Sequence, residues 1–520
     1  MYTQKDIFEY AKDAITSYSV DRAEPVEGWQ WSMKDHIRRS VLYKNSQTMS
    51  GKTSDTVVTN IVLPILRLQY RLEGFDVKDI LLYLLNPEIF YKSAIVRKYH
   101  KKWALDNHID TFIDNIVESY VDLGATLVKR TNKKAPSVVP LTGIAFANQS
   151  NLLSDPLGIR HELTISDLLA KKEWGSTAYG ADISIKEVIE CIKDNPSELN
   201  KRGKLEAFEV RGQMPTGWLT SGEGYTNQMQ VIVFIKKKGE NESKGYTLFK
   251  SKMGEDLKLL LREPIHNRAI GLGGVEELFD SQMWTSYGDH RIKEMLDEAA
   301  KIIYKTTDKR FGQRQSLKES KTGQVYYVEG ELGQIDNYPR NLAVFQQWKD
   351  GLQASAQSLG EAHNALRGET PTSGTPFALQ ELVTQTGQGQ HDYRKGKIAD
   401  YVGEIYKDWI LSQLQNEIAT EKEFFSELSL KEIQFIAKNM AQKIINQKVI
   451  DRVLEGKGVM RREEIEALRF TLENDEKKRG NERFFKILQD EFRGEKLDVN
   501  FSIAGRQSNT AQNVRDFIGM

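Results

Sequence analysis

One cysteine, Cys191, stands among 520 residues. Its isolation excludes an internal disulfide framework and any zinc site built from several thiolates. Surplus charge is missing as well, because Lys and Arg total 73 and Asp and Glu also total 73. A protein that grips nucleic acid through phosphate contacts favours a basic excess. Any DNA handling by this chain must therefore use local patches or proceed without gripping. Long apolar runs are absent too: Ile61 to Leu66 and Ile80 to Leu85 fall far short of the ~20 residues that cross a bilayer as a helix. The segment Met1 to Ser19 mixes Lys5, Asp6, Glu9, Lys12 and Asp13 with apolar residues at helical spacing, unlike a secretory signal. An intracellular origin is expected.

Recognisable active-site chemistry is equally scarce. Gly51-Lys52-Thr53 resembles the end of a phosphate loop, but the first glycine of that motif falls on Ser46. Gly271-Leu272-Gly273-Gly274 lacks dinucleotide-binding spacing and reads as a turn into a helix. The 8 histidines are scattered, with no metal-ligand pair among them. Acidic residues lie mostly in charge-mixed helical stretches, where solvated pairs three or four residues apart are the ordinary reading. These patterns predict no cofactor, no metal and no enzymatic activity.

What is present is length and periodicity. Hydrophobic residues at 39% and charged residues at 28% describe a globular chain, long enough for about three or four domains. Helical spacing marks Met1 to Tyr18, then Asp55 to Tyr70 with a kink expected at Pro64, then Ile109 to Gly124. Thr126 to Arg130 and Ser137 to Pro140 read as a hairpin across Asn132 to Lys134. Strands are expected at Ala207 to Val210, Gln230 to Ile235 and Tyr246 to Phe249, the last two joined by Lys236 to Lys244.

Beyond Ile270 the pattern changes. A helix is expected from Val275 to Tyr304 with Ile292, Met295, Leu296, Ala299, Ile302 and Ile303 on its apolar stripe. A polar, basic segment, Lys305 to Gly323, and a strand, Gln324 to Glu329, follow. Helical spacing resumes at Asn341 to Leu359 with Phe345, Trp348, Leu352 and Leu359 on one side. After the Gly/Pro/Thr-rich stretch Gly368 to Pro376 comes a long helix from Phe377 to about Glu423, bent or weakened at Gly387, Gly389, Gly396 and Gly403. Charged helical sequence then continues to about Phe492, broken at Gly456 and Gly458.

This order, and the strings Gly273-Gly274-Val275-Glu276-Glu277-Leu278-Phe279-Asp280 with Gln282-Met283-Trp284, and Arg367 to Pro376 entering Phe377-Ala378-Leu379-Gln380, resemble the portal family of tailed double-stranded DNA bacteriophages. Less sharply, Val121-Asp122-Leu123-Gly124, Leu127-Val128-Lys129-Arg130, Val138-Val139-Pro140 and Ile144-Ala145-Phe146 with Asn148-Gln149 are similar to portal wing sequence. The resemblance covers most of Asp55 to Trp409. It implies an α+β, mainly helical portal fold: a wing region over 1–270 with N-terminal helices, a first stem helix over 271–304, a clip over 305–340, a second stem helix over 341–362, a channel loop over 363–376, a long bent wing helix over 377–425 and, by position, a helical crown over 426–520.

It further implies a closed ring, commonly a dodecamer, at one capsid vertex of the virion, assembled in the host cytoplasm. Duplex DNA would pass without sequence-specific contact, and the terminase large subunit, a head-tail adaptor and the major capsid protein would be partners. Channel-lining side chains are expected at Asp289, Glu294, Asp297, Glu298 and Lys301. The clip would present Lys305, Lys309, Arg310, Arg314, Lys318 and Lys321 to the motor, the adaptor or entering DNA. A mobile constriction would fall on Arg367, Gly368, Glu369, Thr370, Pro371, Thr372, Ser373 and Gly374, with Leu366 beside it. The alternatives are another head-tail connector or structural component of the virion and a nucleic-acid-processing enzyme.

Local charge agrees with the resemblance. Glu276 to Tyr304 carries seven acidic residues against three basic ones, a wall that would repel phosphate, whereas Lys305 to Gly323 carries six basic residues against two acidic ones. An ordinary exposed helix and a solvated basic loop have the same signs. A stem pair set apart by chain breakers buries too little apolar surface alone, so packing against copies from neighbouring subunits is expected. The apolar pattern stops at Ile518, leaving open whether residue 520 is the natural end.

Overall fold

The computed structural model describes residues 33–47, 59–85, 93–131, 135–146, 151–153, 157–240, 242–266, 268–299, 303–307, 330–335, 342–362, 366, 377–420, 430–478 and 497–501. Along them run α1 (Met33–Lys44), α2 (Val62–Glu73), β1 (Ile80–Leu84), α3 (Ser93–Asp106), α4 (Ile109–Leu123), β2 (Ala125–Lys129), β3 (Ser137–Val139) and β4 (Ile144–Phe146). Next come β5 (Leu157–Leu163), α5 (Ile165–Ala170), α6 (Ile185–Asp194), β6 (Leu205–Pro215), β7 (Tyr225–Ile235), β8 (Lys244–Lys252) and β9 (Leu257–Leu261). The remainder is α7 (Gly274–Glu277), α8 (Phe279–Ala299), β10 (Ile303–Thr306), β11 (Leu332–Ile335), α9 (Leu342–Leu359), α10 (Phe377–Ile405), α11 (Leu411–Thr420), α12 (Leu430–Leu454), α13 (Arg462–Lys478) and β12 (Leu497–Phe501). Among the described residues 55% are helical and 20% lie in strands, so the class is α+β with helix in excess. Two compact units divide the chain, one from Tyr70–Gly271 with Gln388–Met520, the other from Met33–Gln69 with Leu272–Gly387.

In the first unit, apolar periodicity builds α4, which buries Ile109, Phe112, Ile113, Ile116, Val117 and Tyr120. It ends at Gly124, whose φ of 73° is the left-handed conformation that closes a helix at little cost to glycine. The expected hairpin is β2 paired antiparallel with β3, and β9 completes a three-stranded sheet on the other edge of β2. A five-stranded antiparallel sheet has the order β4-β5-β6-β7-β8. One face of it packs on α5 and α6 through Leu168, Val188, Ile192, Val231, Val233 and Leu248. Both helices start with reciprocal caps, Thr164 with Asp167 and Ser184 with Glu187, which satisfy backbone N–H groups otherwise left open. Cys191 lies half-buried against this core, where burial pushes its thiol up.

Several expectations need correction. Pro64 causes no kink, because α2 begins at Val62 and a proline in the first turn lacks only an N–H that would have no helical partner. The long helix runs from 377 to 420 and contains a π-helical turn at Tyr406–Ile410. The C-terminal region is not wholly helical: β12 returns to pair antiparallel with β1, Ile80 opposite Phe501. Met33–Gln69 groups with Leu272–Gly387 in the second unit, apart from Tyr70–Gly271. The helix expected from Val275 to Tyr304 stops at Ala299, and Ile303 and Tyr304 join a strand. The helix expected at Met1 to Tyr18 and the strand at Gln324 to Glu329 lie outside the described residues.

Candidate functional site

The second unit holds the feature on which the sequence reading turns. Helices α8 and α9 pack on each other, and β10 and β11 pair antiparallel between them in sequence, Ile303 opposite Ile335. Helix, two-stranded ribbon and helix thus follow one another, with the ribbon formed by Ile303–Thr306 and Leu332–Ile335 and the expected strand at Gln324 to Glu329 outside the described residues.

The inner face of α8 is polar. Ser281, Gln282, Thr285, Ser286 and Asp289 are all buried, whereas Ile292 and Met295 of the predicted stripe are half-buried and Leu296 is exposed. Such a face is stable only because its polar atoms find partners. The Gln282 carboxamide accepts from the Ile61 N–H at 2.8 Å and donates to the Thr59 carbonyl at 2.8 Å and to Ser286 Oγ at 3.1 Å. Thr285 Oγ1 donates back to the Ser281 carbonyl at 2.7 Å. Asp289 Oδ1 accepts from Lys349 Nζ of α9 at 2.5 Å, a charge-assisted bond that ties the two helices. At the start of the unit, Phe279 meets the Tyr43 ring edge-on at 4.7 Å and lies under the Arg39 guanidinium at 4.8 Å. Gly360 follows α9 where a Cβ would stand 2.4 Å from Ile65 Cγ2, and its carbonyl accepts from Gln69 Nε2 at 3.0 Å.

Of the expected lining residues, Glu294 and Asp297 are exposed, and Glu294 pairs with Arg291 at 2.9 Å. Asp289 is instead buried on Lys349. Glu298 falls within α8, but the structure does not describe its side chain, and Lys301 lies outside the described residues. Lys305 is exposed on β10; Lys309, Arg310, Arg314, Lys318 and Lys321 lie outside the described residues, as do Arg367 to Gly374. Leu366 is buried.

The sequence reading also missed the rings outside this face. Trp284 meets Trp348 edge-on at 6.1 Å and Tyr287 at 5.9 Å, all three well exposed. Gly288 makes room for them, since a Cβ there would lie 3.1 Å from Trp348 Cζ3.

A second polar centre sits inside the first unit. Glu209 of β6 binds Lys129 of β2, His161 of β5 at 2.8 Å and Arg211, whose guanidinium also forms two bonds of 2.5 Å to Asp256. Burial pushes the Glu209 carboxyl up, but the His161 hydrogen bond and the Lys129 and Arg211 charges overcome it and hold the group well below the usual carboxylate range. Beside it opens a cavity of about 610 Å³ lined by Arg130, Arg211, Asp256, Lys258, Asp408 and Trp409, among others. The charges on its wall are largely spent on each other: Lys258 pairs with Asp408 at 2.6 Å and Arg211 with Asp256. This centre ties the three-stranded sheet to the five-stranded one.

Among the described residues, no cluster of His, Cys, Asp and Glu is arranged to hold a metal ion, and no helix is long and apolar enough to cross a membrane. No protein-family model matches the chain, and no curated protein is significantly similar to it.

Proposed function

We propose that this chain is a portal-type subunit whose copies close into a ring through which duplex DNA passes at a capsid vertex. The observation that carries the reading is the helix-ribbon-helix unit of α8, β10, β11 and α9, following a glycine-rich turn and followed by the Gly/Pro/Thr-rich stretch and the long helix α10. Glu294 and Asp297 supply the phosphate-repelling surface, and Asp289 holds the hairpin together instead of facing DNA. Lys305 and the basic segment after it form the mouth that meets the terminase large subunit or a head-tail adaptor. The major capsid protein surrounds the ring, in the virion.

Electron microscopy of the purified full chain tests this directly. Rings with an axial hole are expected, with twelve copies as the family's common number. Persistent monomers at high concentration would overturn the reading, and metal- or nucleotide-dependent turnover would favour an enzyme instead.

A further inference from the structure

On α8 the usual arrangement is reversed. Ser281, Gln282, Thr285 and Ser286 are inside, while Met283, Trp284 and Tyr287 are 37%, 46% and 47% exposed. Helix α9 adds Val344 at 63% and Trp348 at 38% to the same aromatic cluster or one turn from it. Gln282 and Thr285 are held inside by hydrogen bonds to Ile61, Thr59, Ser286 and Ser281, so the rings are not displaced core residues.

We propose that this aromatic ridge is a docking surface for a second copy of this chain, the apolar centre of the contact between neighbouring subunits. The inference deepens the ring reading and rests on it. Aromatic side chains bury ~150–250 Å² each when covered, so rings exposed to this degree, with Met283 and Val344, leave on the order of 300–400 Å² of connected apolar surface. The largest apolar patch of a typical monomer is about that size and is often functional. It is at most half of the ~800 Å² per partner that a stable contact buries, which makes the ridge a centre needing a polar rim. The rings are already fixed against one another by edge contacts and by Gly288 beneath Trp348, so docking costs little side-chain entropy.

Charge selects the occupant. Along α8 the ridge continues into Arg291, bonded to Tyr287 Oη at 3.0 Å and to Glu294 at 2.9 Å, and Asp280 and Asp297 are also exposed. Among the described residues the rim is of mixed sign, Arg291 and the exposed Lys293 against Asp280, Glu294 and Asp297, so it favours neither duplex DNA nor an anionic lipid surface. A chain with 73 basic and 73 acidic residues meets no net repulsion from its own copies.

The test compares the wild-type full chain with a Trp284→Glu/Tyr287→Glu variant by light scattering over concentration, with circular dichroism to check folding. Oxidative footprinting of Trp284 and Trp348 is run on the wild type alone, so that it decides even if the variant misfolds. The expected results are a concentration for half-assembly at least tenfold higher in the variant and at least a threefold loss of Trp284 oxidation in wild-type assemblies. A folded variant that assembles at the wild-type concentration, or Trp284 equally oxidised in the ring and the monomer, overturns this inference and leaves the ring reading standing. A wild type that never assembles overturns both. Protection of Trp284 by anionic vesicles or duplex DNA, but not by raised protein concentration, also overturns it.

Discussion

At Glu209 three basic partners, Lys129, His161 and Arg211, converge on one carboxylate that is 1% exposed. Removing one member of a buried ion group leaves the others desolvated and uncompensated, which costs about 3–5 kcal/mol. Glu209→Gln keeps the shape and removes the charge, so it should destabilise the first unit by that amount at neutral pH, read by urea unfolding. The pH dependence follows from the direction of the shift. Glu209 titrates well below its ordinary range in the folded protein, whereas the unfolded chain titrates near ~4.3. Its contribution is therefore complete above that value and is lost as pH falls through the folded value. The gap between wild type and variant should stay constant from about pH 8 to about pH 5 and shrink only below about pH 4; a gap already halved at pH 5 would contradict the assignment. His100 shows the opposite response to burial: it is pushed down to about 4 and stays neutral beside the buried Tyr406 hydroxyl at 2.9 Å.

Elements depend on where backbones approach closely, and two glycines separate that effect from helix propensity. A Cβ at Gly271 would stand 2.7 Å from the Glu263 carbonyl oxygen and 2.8 Å from that of Gly124, both backbone atoms that cannot swing away. Gly271→Ala should cost about 1–3 kcal/mol, the ordinary penalty of overpacking. Gly351, inside α9, has nothing within 4 Å of its Cβ position, so Gly351→Ala should stabilise by about 0.5–1 kcal/mol through helix propensity. Thermal unfolding of both variants checks the pair, and equal effects would refute the distinction. Helix α4 and the β2-β3 and β7-β8 pairings were legible because their apolar residues recur at helical or alternating spacing between polar turns. The interior of α8 was not, since periodicity places Ser281, Gln282 and Thr285 outside, and the partners of Gln282, Thr59 and Ile61, lie more than 220 residues away. The pairing of β12 with β1 was hidden for the same reason, its partners lying at opposite ends of the chain. Glu209 and Arg211 alternate as a solvated strand face would, and partners from three other segments reverse that reading.

For the whole molecule, zero net charge conceals opposite local fields, with the acidic excess on Glu276 to Tyr304 and the basic excess on Lys305 to Gly323. In the ring reading the acidic excess keeps duplex DNA mobile, because DNA held by neutralised phosphates releases counterions and stays bound. Each neutralised phosphate steepens the fall of log affinity with log salt by about 0.9. The wild type should therefore bind linear duplex weakly and with a shallow salt slope. Glu294→Lys with Asp297→Lys replaces two exposed acids by two bases, and should tighten binding at low salt while steepening the slope by about 2 or more, as two new phosphate contacts per copy require. Asp289→Asn is the internal control: that carboxylate is buried on Lys349, so its loss should weaken the hairpin and leave the slope unchanged. Fluorescence anisotropy with labelled duplex across a salt series distinguishes the cases. If the double lysine variant kept the wild-type slope, Glu294 and Asp297 would not face DNA; if Asp289→Asn steepened it, the hairpin's inner face would be the one that does.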